Sequence, residues 1–154
     1  MACEEALTAA RAGNYGVGAI LVGPNGEVIE RGCNQAFYPK FRSDRHAEMV
    51  VLNAFEDRFH EATDMRQHVL VSSLEPCPMC LARMLISGVQ TVKYLACDEL
   101  GGMASHLEKL PTAWRRLLER QEFALADVSD ELRQIALEAF LLNLESLREK
   151  LWSR

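Results

Sequence analysis

Three short apolar runs limit what this chain can become: GVGAILVG (16–23), HVLVSS (68–73) and QTVKYLACD (90–98). Each has strand length and sits among turn formers or helix-patterned segments. PNGE follows the first run, and EVIERGCN (27–34) after it partly alternates. That pair predicts a hairpin, with Asn25-Gly26 supplying positive φ at the turn. Met49, Leu52 and Phe55 fall at helical spacing and place a helix over about 44–59, capped by Ser43 or Asp44. CPMCLARMLIS (77–87) predicts another, stopped by Gly88. A short helix over 3–12 precedes the hairpin. Pro111 opens a helix after the third run, and EFALADV (122–128) reads as a last strand. A long final helix is expected from a Ser129 cap to about Trp152. Helix, hairpin, then helices alternating with strands predict an α/β fold. The expected form is a three-layer α/β/α sandwich around a five-stranded mixed sheet.

The 154 residues contain no linker, repeat or low-complexity tract, so a single domain over 1–154 is expected. No apolar run is long enough to cross a bilayer. The start, MACEEALTAARAG, lacks the basic lead and apolar core of a signal peptide, and a cytoplasmic location is the default. A formal charge of −5 weighs against a partner gripped through phosphates, making nucleic acid a less favoured ligand. The basic stretches YPKFRSDRH and AWRR read as solvated surface. The leucines of the last helix exceed one face, since Leu137, Leu141 and Leu142 lie off its stripe. Either a broad buried face or a subunit contact accounts for them.

Five cysteines cannot close pairwise. Cys33 and Cys97 read as small buried hydrophobes. His60, His68 and His106 read as ordinary surface or packing residues. Cys77 and Cys80 differ because they come at i, i+3 in the first turn of a helix, which turns both sulfurs to one side. There the unpaired N–H groups and the helix dipole favour thiolate, the form that binds metal. Pro76 and Pro78 stiffen the entry. His46, at the start of the preceding helix, supplies a third ligand if both helices lie on one sheet face. One histidine and two cysteines leave a tetrahedral zinc with an open fourth position, as catalytic rather than structural sites do. Glu48, two residues beyond the histidine, then projects toward that position, where a carboxylate can move a proton.

HAE together with PCPMC matches the H-x-E and P-C-x-x-C signature of zinc deaminases. The chain resembles the cytidine and deoxycytidylate deaminase superfamily from GVGAILV through RGCN, HAE and SLEPCPMC to SGVQTVKYLACD. The resemblance implies a cytidine-deaminase-like fold and Zn2+ as cofactor, held by His46, Cys77 and Cys80. It implies Glu48 as proton shuttle in the hydrolysis of an exocyclic amine to a carbonyl, with release of ammonia. By the same resemblance Asn34 hydrogen-bonds the base, and the backbone around Gly18 and Ala19 and around Ser73 and Leu74 lines the pocket. Asp98 holds a position that some relatives use near the substrate. LEPCPMC is most similar to guanine deaminases and bacterial tRNA adenosine deaminases. The expected partner is a small nucleobase or nucleoside, guanine-type purine first, and the expected assembly is a homodimer. Cytosine, cytidine, deoxycytidylate and tRNA adenosine deaminases stay open as alternatives. So does a deaminase fold kept as a binding module with structural zinc.

Overall fold

The computed structural model describes residues 1–59 and 64–153. Its elements run α1 Ala2–Arg11, β1 Gly18–Val22, β2 Val28–Cys33, α2 Ala47–Arg58, β3 Val69–Leu74, α3 Pro78–Ser87 and β4 Thr91–Ala96. They continue with α4 Thr112–Leu118, β5 Glu122–Leu125, α5 Asp130–Leu141 and α6 Leu144–Trp152. A 3₁₀ segment, Ala104–Lys109, lies between β4 and α4. The expected order of elements is present, and the expected hairpin turns through Gly26 at φ 80°. None of the described helices is long and apolar enough to cross a membrane.

The five strands form one sheet in the order β2-β1-β3-β4-β5. β1 pairs antiparallel with both β2 and β3, whereas β3, β4 and β5 run parallel. The sheet is mixed because its first half is a hairpin and its second half is joined by helical crossovers. Register separates its two faces. Arg31 lies opposite Ile20 and binds Glu4 and Glu5 of α1, so that face belongs to α1. Ser72 lies opposite Ala19 and binds Glu48 of α2, so the other face belongs to α2. α5 packs beside α1, and α3 beside α2, which completes the three layers.

Side-chain size explains the seating. α1 buries Ala2, Ala6, Ala9 and Ala10, and α5 buries Ala136 and Ala139, so these helices approach the sheet and each other closely. On the opposite face Ala19, Leu21, Leu70 and Val92 meet Val51, Leu52, Phe55 and Met84 in one apolar cluster. Burial of this kind contributes roughly 25 cal/mol per Å² and holds both helix layers to the sheet.

The C-terminal segment departs from the expected single helix. α5 ends at Leu141 and α6 begins at Leu144. The break falls at Asn143, whose side-chain amide donates to the carbonyls of Ala10 at 2.8 Å and Asn14 at 2.9 Å. Satisfying those two carbonyls from one side chain pins the junction against the end of α1 and redirects the chain. α2 also starts later than expected, at Ala47, because His46 keeps extended backbone angles (φ −70°, ψ 157°).

Candidate active site

The ends of the parallel strands deliver the site. β3 ends at Leu74 and feeds α3 through Glu75-Pro76-Cys77, and the start of α2 lies alongside. Crevices at strand C-termini are where open α/β sheets bind ligands. His46 is the N-cap of α2 and Cys77 the N-cap of α3, both with extended backbone angles and neither using its side chain to cap. N-cap side chains ordinarily bond their own helix. Here both side chains turn instead toward each other.

Nδ1 of His46 lies 3.5 Å from Cys77 Sγ and 3.6 Å from Cys80 Sγ. The three donor atoms lie within 4.8 Å of one another, and among the described residues no fourth His, Cys, Asp or Glu joins the group. Zn–S bonds of about 2.3 Å and a Zn–N bond of about 2.0 Å at tetrahedral angles separate N from S by about 3.6 Å. The residues therefore fit zinc, with one corner of the tetrahedron free of protein ligand.

The protonation of the cluster follows from its crowding. The Cys80 thiol donating to it, with His46 beside it, draws the Cys77 thiol down to about 4 despite burial. Cys80 moves the other way, well above the usual thiol range, because it gives its hydrogen to Cys77 and is buried near Glu48. Burial presses the His46 pKa down, but Cys77 and Glu48 outweigh it and hold the imidazole above its ordinary value.

Glu48 is 3% exposed, and burial lifts its carboxyl above the usual range. Oε1 accepts from the Ser72 hydroxyl at 3.1 Å, and Oε2 lies 3.4 Å from Cys80 Sγ. A carboxyl held this way beside the ligand cluster can both take and return a proton. Ser72 escaped the sequence reasoning. Its only signal was its place opposite Ala19, which register alone reveals.

Glu48 and His46 open onto a cavity of about 310 Å³. Asn34, Val17, Leu74, Glu75, Cys77, Asp98 and Gly101 also line it. Asn34 turns its Oδ1 to the Ala36 N–H at 3.0 Å, so it is a turn former and a pocket residue at once. Asp98 likewise does both: its Oδ1 accepts from the Leu100 and Gly101 N–H groups at 3.2 and 3.0 Å. Ala19 and Ser73 do not line the cavity. Both are fully buried, and Ser73 Oγ accepts from the Gly18 N–H at 3.0 Å, tying β1 to β3. Leu74, expected beside Ser73, does line the cavity, and on β1 the lining position is Val17, next to Gly18. The remaining wall, which sequence reasoning missed, is Tyr15 with Phe140, Leu144, Arg148 and Leu151 of α5 and α6. The stripe leucines Leu144 and Leu151 thus face the cavity, whereas Leu141 and Leu142, off the stripe, are exposed. Among the other histidines, His68 packs edge-on against Phe55, His106 is half-buried, and His60 lies outside the described residues.

The family model described as the cytidine and deoxycytidylate deaminase zinc-binding region matches residues 1–96. The chain belongs to this deaminase family. Its zinc-binding region contains His46, Cys77 and Cys80. A tRNA-specific adenosine deaminase of Bacillus subtilis (strain 168) is 37% identical over 112 residues, 71% of this chain and 66% of that protein. The chain's matches span from 26% to 66% of the length of such curated relatives. Among solved structures, one from work on A-to-I editing by tRNA:A34 deaminases superposes with a TM-score of 0.72. Its identity is 24%, over 90% of this chain and 94% of that one. A guanine deaminase from Nitrosomonas europaea gives 0.68 at 21% identity, over 90% and 80% of the two chains. These two structures confirm the cytidine-deaminase fold expected from the sequence.

Proposed function

We propose that this chain is a zinc-dependent hydrolytic deaminase of a free purine base or its nucleoside. One observation carries the proposal: a buried carboxyl, Glu48, stands beside a three-ligand cluster with one open corner and lines the same cavity. A structural clamp needs four protein ligands and no proton carrier. His46, Cys77 and Cys80 would hold the zinc. Bound there, zinc would lower the pKa of water toward ~7 and so supply a nucleophile. Glu48 takes one proton from the attacking water and delivers it to the ring nitrogen, then takes the second from the hydroxyl so added to the ring carbon and delivers it to the leaving amine. Asn34 orients the ring through its amide nitrogen, since its oxygen is committed to Ala36. Ammonia leaves and a carbonyl replaces the amine.

Purine is favoured because the named relatives share it: adenosine in tRNA for one, guanine for the other. A free molecule is favoured by the cavity. Its volume sits at the low end of the ~300–1,000 Å³ range of small-molecule sites. α5 and α6 contribute the apolar groups Phe140, Leu144 and Leu151 and the cation Arg148, while Glu75 and Asp98 line the cavity elsewhere. A second function, deamination of adenosine within tRNA, is favoured by the 37% identity to the Bacillus enzyme.

Ammonia release separates the two. Zinc-loaded protein is offered guanine, guanosine, adenine, adenosine, cytosine, cytidine, dCMP and a tRNA with adenosine at the wobble position. Turnover of a free purine supports the proposal. Turnover of tRNA alone selects the second function, and silence on every substrate removes both. A homodimer is part of the same proposal. Leu141, Leu142 and Trp152 stay exposed on α5 and α6, and light scattering measures the assembly.

A further inference from the structure

Glu75 follows the last residue of β3 and stands two positions before Cys77. It is 3% exposed and lines the cavity. Its carboxylate is spent on backbone. Oε2 accepts from the Asp98 N–H at 3.1 Å, and Oε1 accepts from the Ser105 N–H at 2.7 Å. The chain between these two residues closes on the same group. The Gly102 N–H donates to the Asp98 carbonyl at 2.8 Å, and the Met103 N–H donates to the Pro76 carbonyl at 2.9 Å. Gly102 lies so close that a Cβ there would stand 2.4 Å from the Glu75 carboxyl carbon. Segment 98–105 is therefore wound around one buried carboxylate, and its members Asp98 and Gly101 form part of the cavity wall.

We infer that Glu75 is a positioning residue: its carboxylate fixes segment 98–105 as the rim of the substrate pocket and so sets how tightly substrate is held. It does this without acting on the reacting atoms. The inference rests on the proposed deaminase function only for what the pocket binds. The chemistry of the side chain explains why the position holds glutamate. A carboxylate accepts at both oxygens, and two N–H donors converge on it. Glutamine has the same shape but accepts at one atom and donates at the other. It would lose one of the two bonds and set its amide hydrogen against an N–H.

Glu75→Gln is the first test, read in two ways. Hydrogen exchange compares the amides of Asp98 and Ser105 in the zinc-loaded wild type and variant. Protection at one or both is expected to fall at least about tenfold, while Leu70 and Val92 in the central strands keep theirs. Kinetics on the substrate the wild type deaminates should show KM raised about tenfold, with kcat within about threefold and zinc content unchanged. Gly102→Ala is the second variant. It leaves the carboxylate intact and pushes the segment off it, so it should reproduce the KM effect, and the double variant should be less than additive. Unchanged exchange in Glu75→Gln overturns the inference, and so does a fall in kcat at constant KM. Should Glu75→Gln fail to fold, Gly102→Ala decides alone: normal exchange at Asp98 and Ser105 together with normal KM overturns it. Absence of ammonia from the wild type would count against the proposed function, and the exchange comparison would still decide the role of Glu75.

Discussion

The backbone of α5 reaches the chain ahead of β1 at Gly16, and that contact is the one most exposed to test. A Cβ added at Gly16 would lie 1.9 Å from the Ala139 carbonyl oxygen, 2.3 Å from its carbon and 3.0 Å from the Phe140 nitrogen. All three are backbone atoms, so no side-chain rotation relieves the clash. Restoring an ordinary 3.4 Å contact requires a displacement of about 1.5 Å of either α5 or the 14–17 segment. Overpacking costs roughly 1–3 kcal/mol, and a rigid helix backbone puts Gly16→Ala near the top, about 3 kcal/mol. For a chain of this length that is a fall in Tm of roughly 6–12 °C. The same displacement moves Phe140, which lines the cavity, and Tyr15, which packs on it at a 6.2 Å ring separation. A misplacement of about 1 Å in a substrate site costs on the order of 100-fold, so kcat/KM should fall by about that factor. Zinc content should not change, because the ligands lie on α2 and α3, on the opposite face. Thermal denaturation, metal analysis and ammonia kinetics on the purified variant read all three. A variant with Tm within about 2 °C and kcat/KM within about threefold of the wild type would refute the close seating of α5, and with it the C-terminal wall of the pocket.

Glu48→Gln should keep one zinc per chain and lose at least about 1,000-fold in kcat, because the amide fills the space but moves no proton; loss of zinc in this variant would make Glu48 a ligand. Ser72→Ala removes the hydroxyl that donates to Glu48 Oε1 at 3.1 Å. That donor favours the charged carboxylate, so without it the carboxyl, already lifted by burial, rises further. The acidic limb of the kcat–pH profile should move up by about one unit, and an unmoved limb would show that the contact does not tune the base. Zinc uptake by the metal-free protein should release protons at pH 7. Cys77, with its thiol near 4, is already thiolate there, whereas Cys80 and part of the His46 population still hold protons that zinc must displace. Affinity should therefore fall about tenfold or more per pH unit on acidification from pH 7 to 5, steepening once Cys77 also takes up a proton near 4; a flat profile measured by competition with a chelator would contradict the protonation of the cluster.

The sequence is most informative where a signal is local. The hairpin, the two ligand-bearing helix starts and the parallel crossovers follow from patterns within a few residues of each other, and the structure contains all of them. The i, i+3 spacing of Cys77 and Cys80 needs only one turn of helix to become geometry. Signals that depend on distant partners were not legible. The apolar stripe runs through Phe140, Leu144, Leu147 and Leu151 without interruption, so nothing local ends the helix at Leu141. The break comes from Asn143 reaching Ala10 and Asn14, more than 120 residues earlier. Ser72 and Ser73 are neighbours of identical type. Sheet alternation sends one to Glu48 and the other to Gly18, and only strand register separates them. Glu75 sits inside a recognisable motif, yet its partners at Asp98 and Ser105 lie 23 and 30 residues away.

This division in legibility follows the architecture of the site. The ligand cluster and Glu48 come from α2 and α3 on one face of the sheet, whereas one wall of the cavity comes from Tyr15, α5 and α6 on the other. Strand ends set the two halves against each other, and segment 98–105 bridges them through Glu75. On the proposed function, chemistry is written at the starts of α2 and α3 and one wall of the substrate pocket in the C-terminal helices. Metal and proton transfer need a few atoms held within fractions of an ångström, which short rigid helix starts provide. Selection of substrate needs a surface of the right shape, which many apolar sequences on a packed helix can provide. Changes in α6, at Leu144, Arg148 or Leu151, should therefore alter which base is accepted while zinc binding and the order of proton transfers persist.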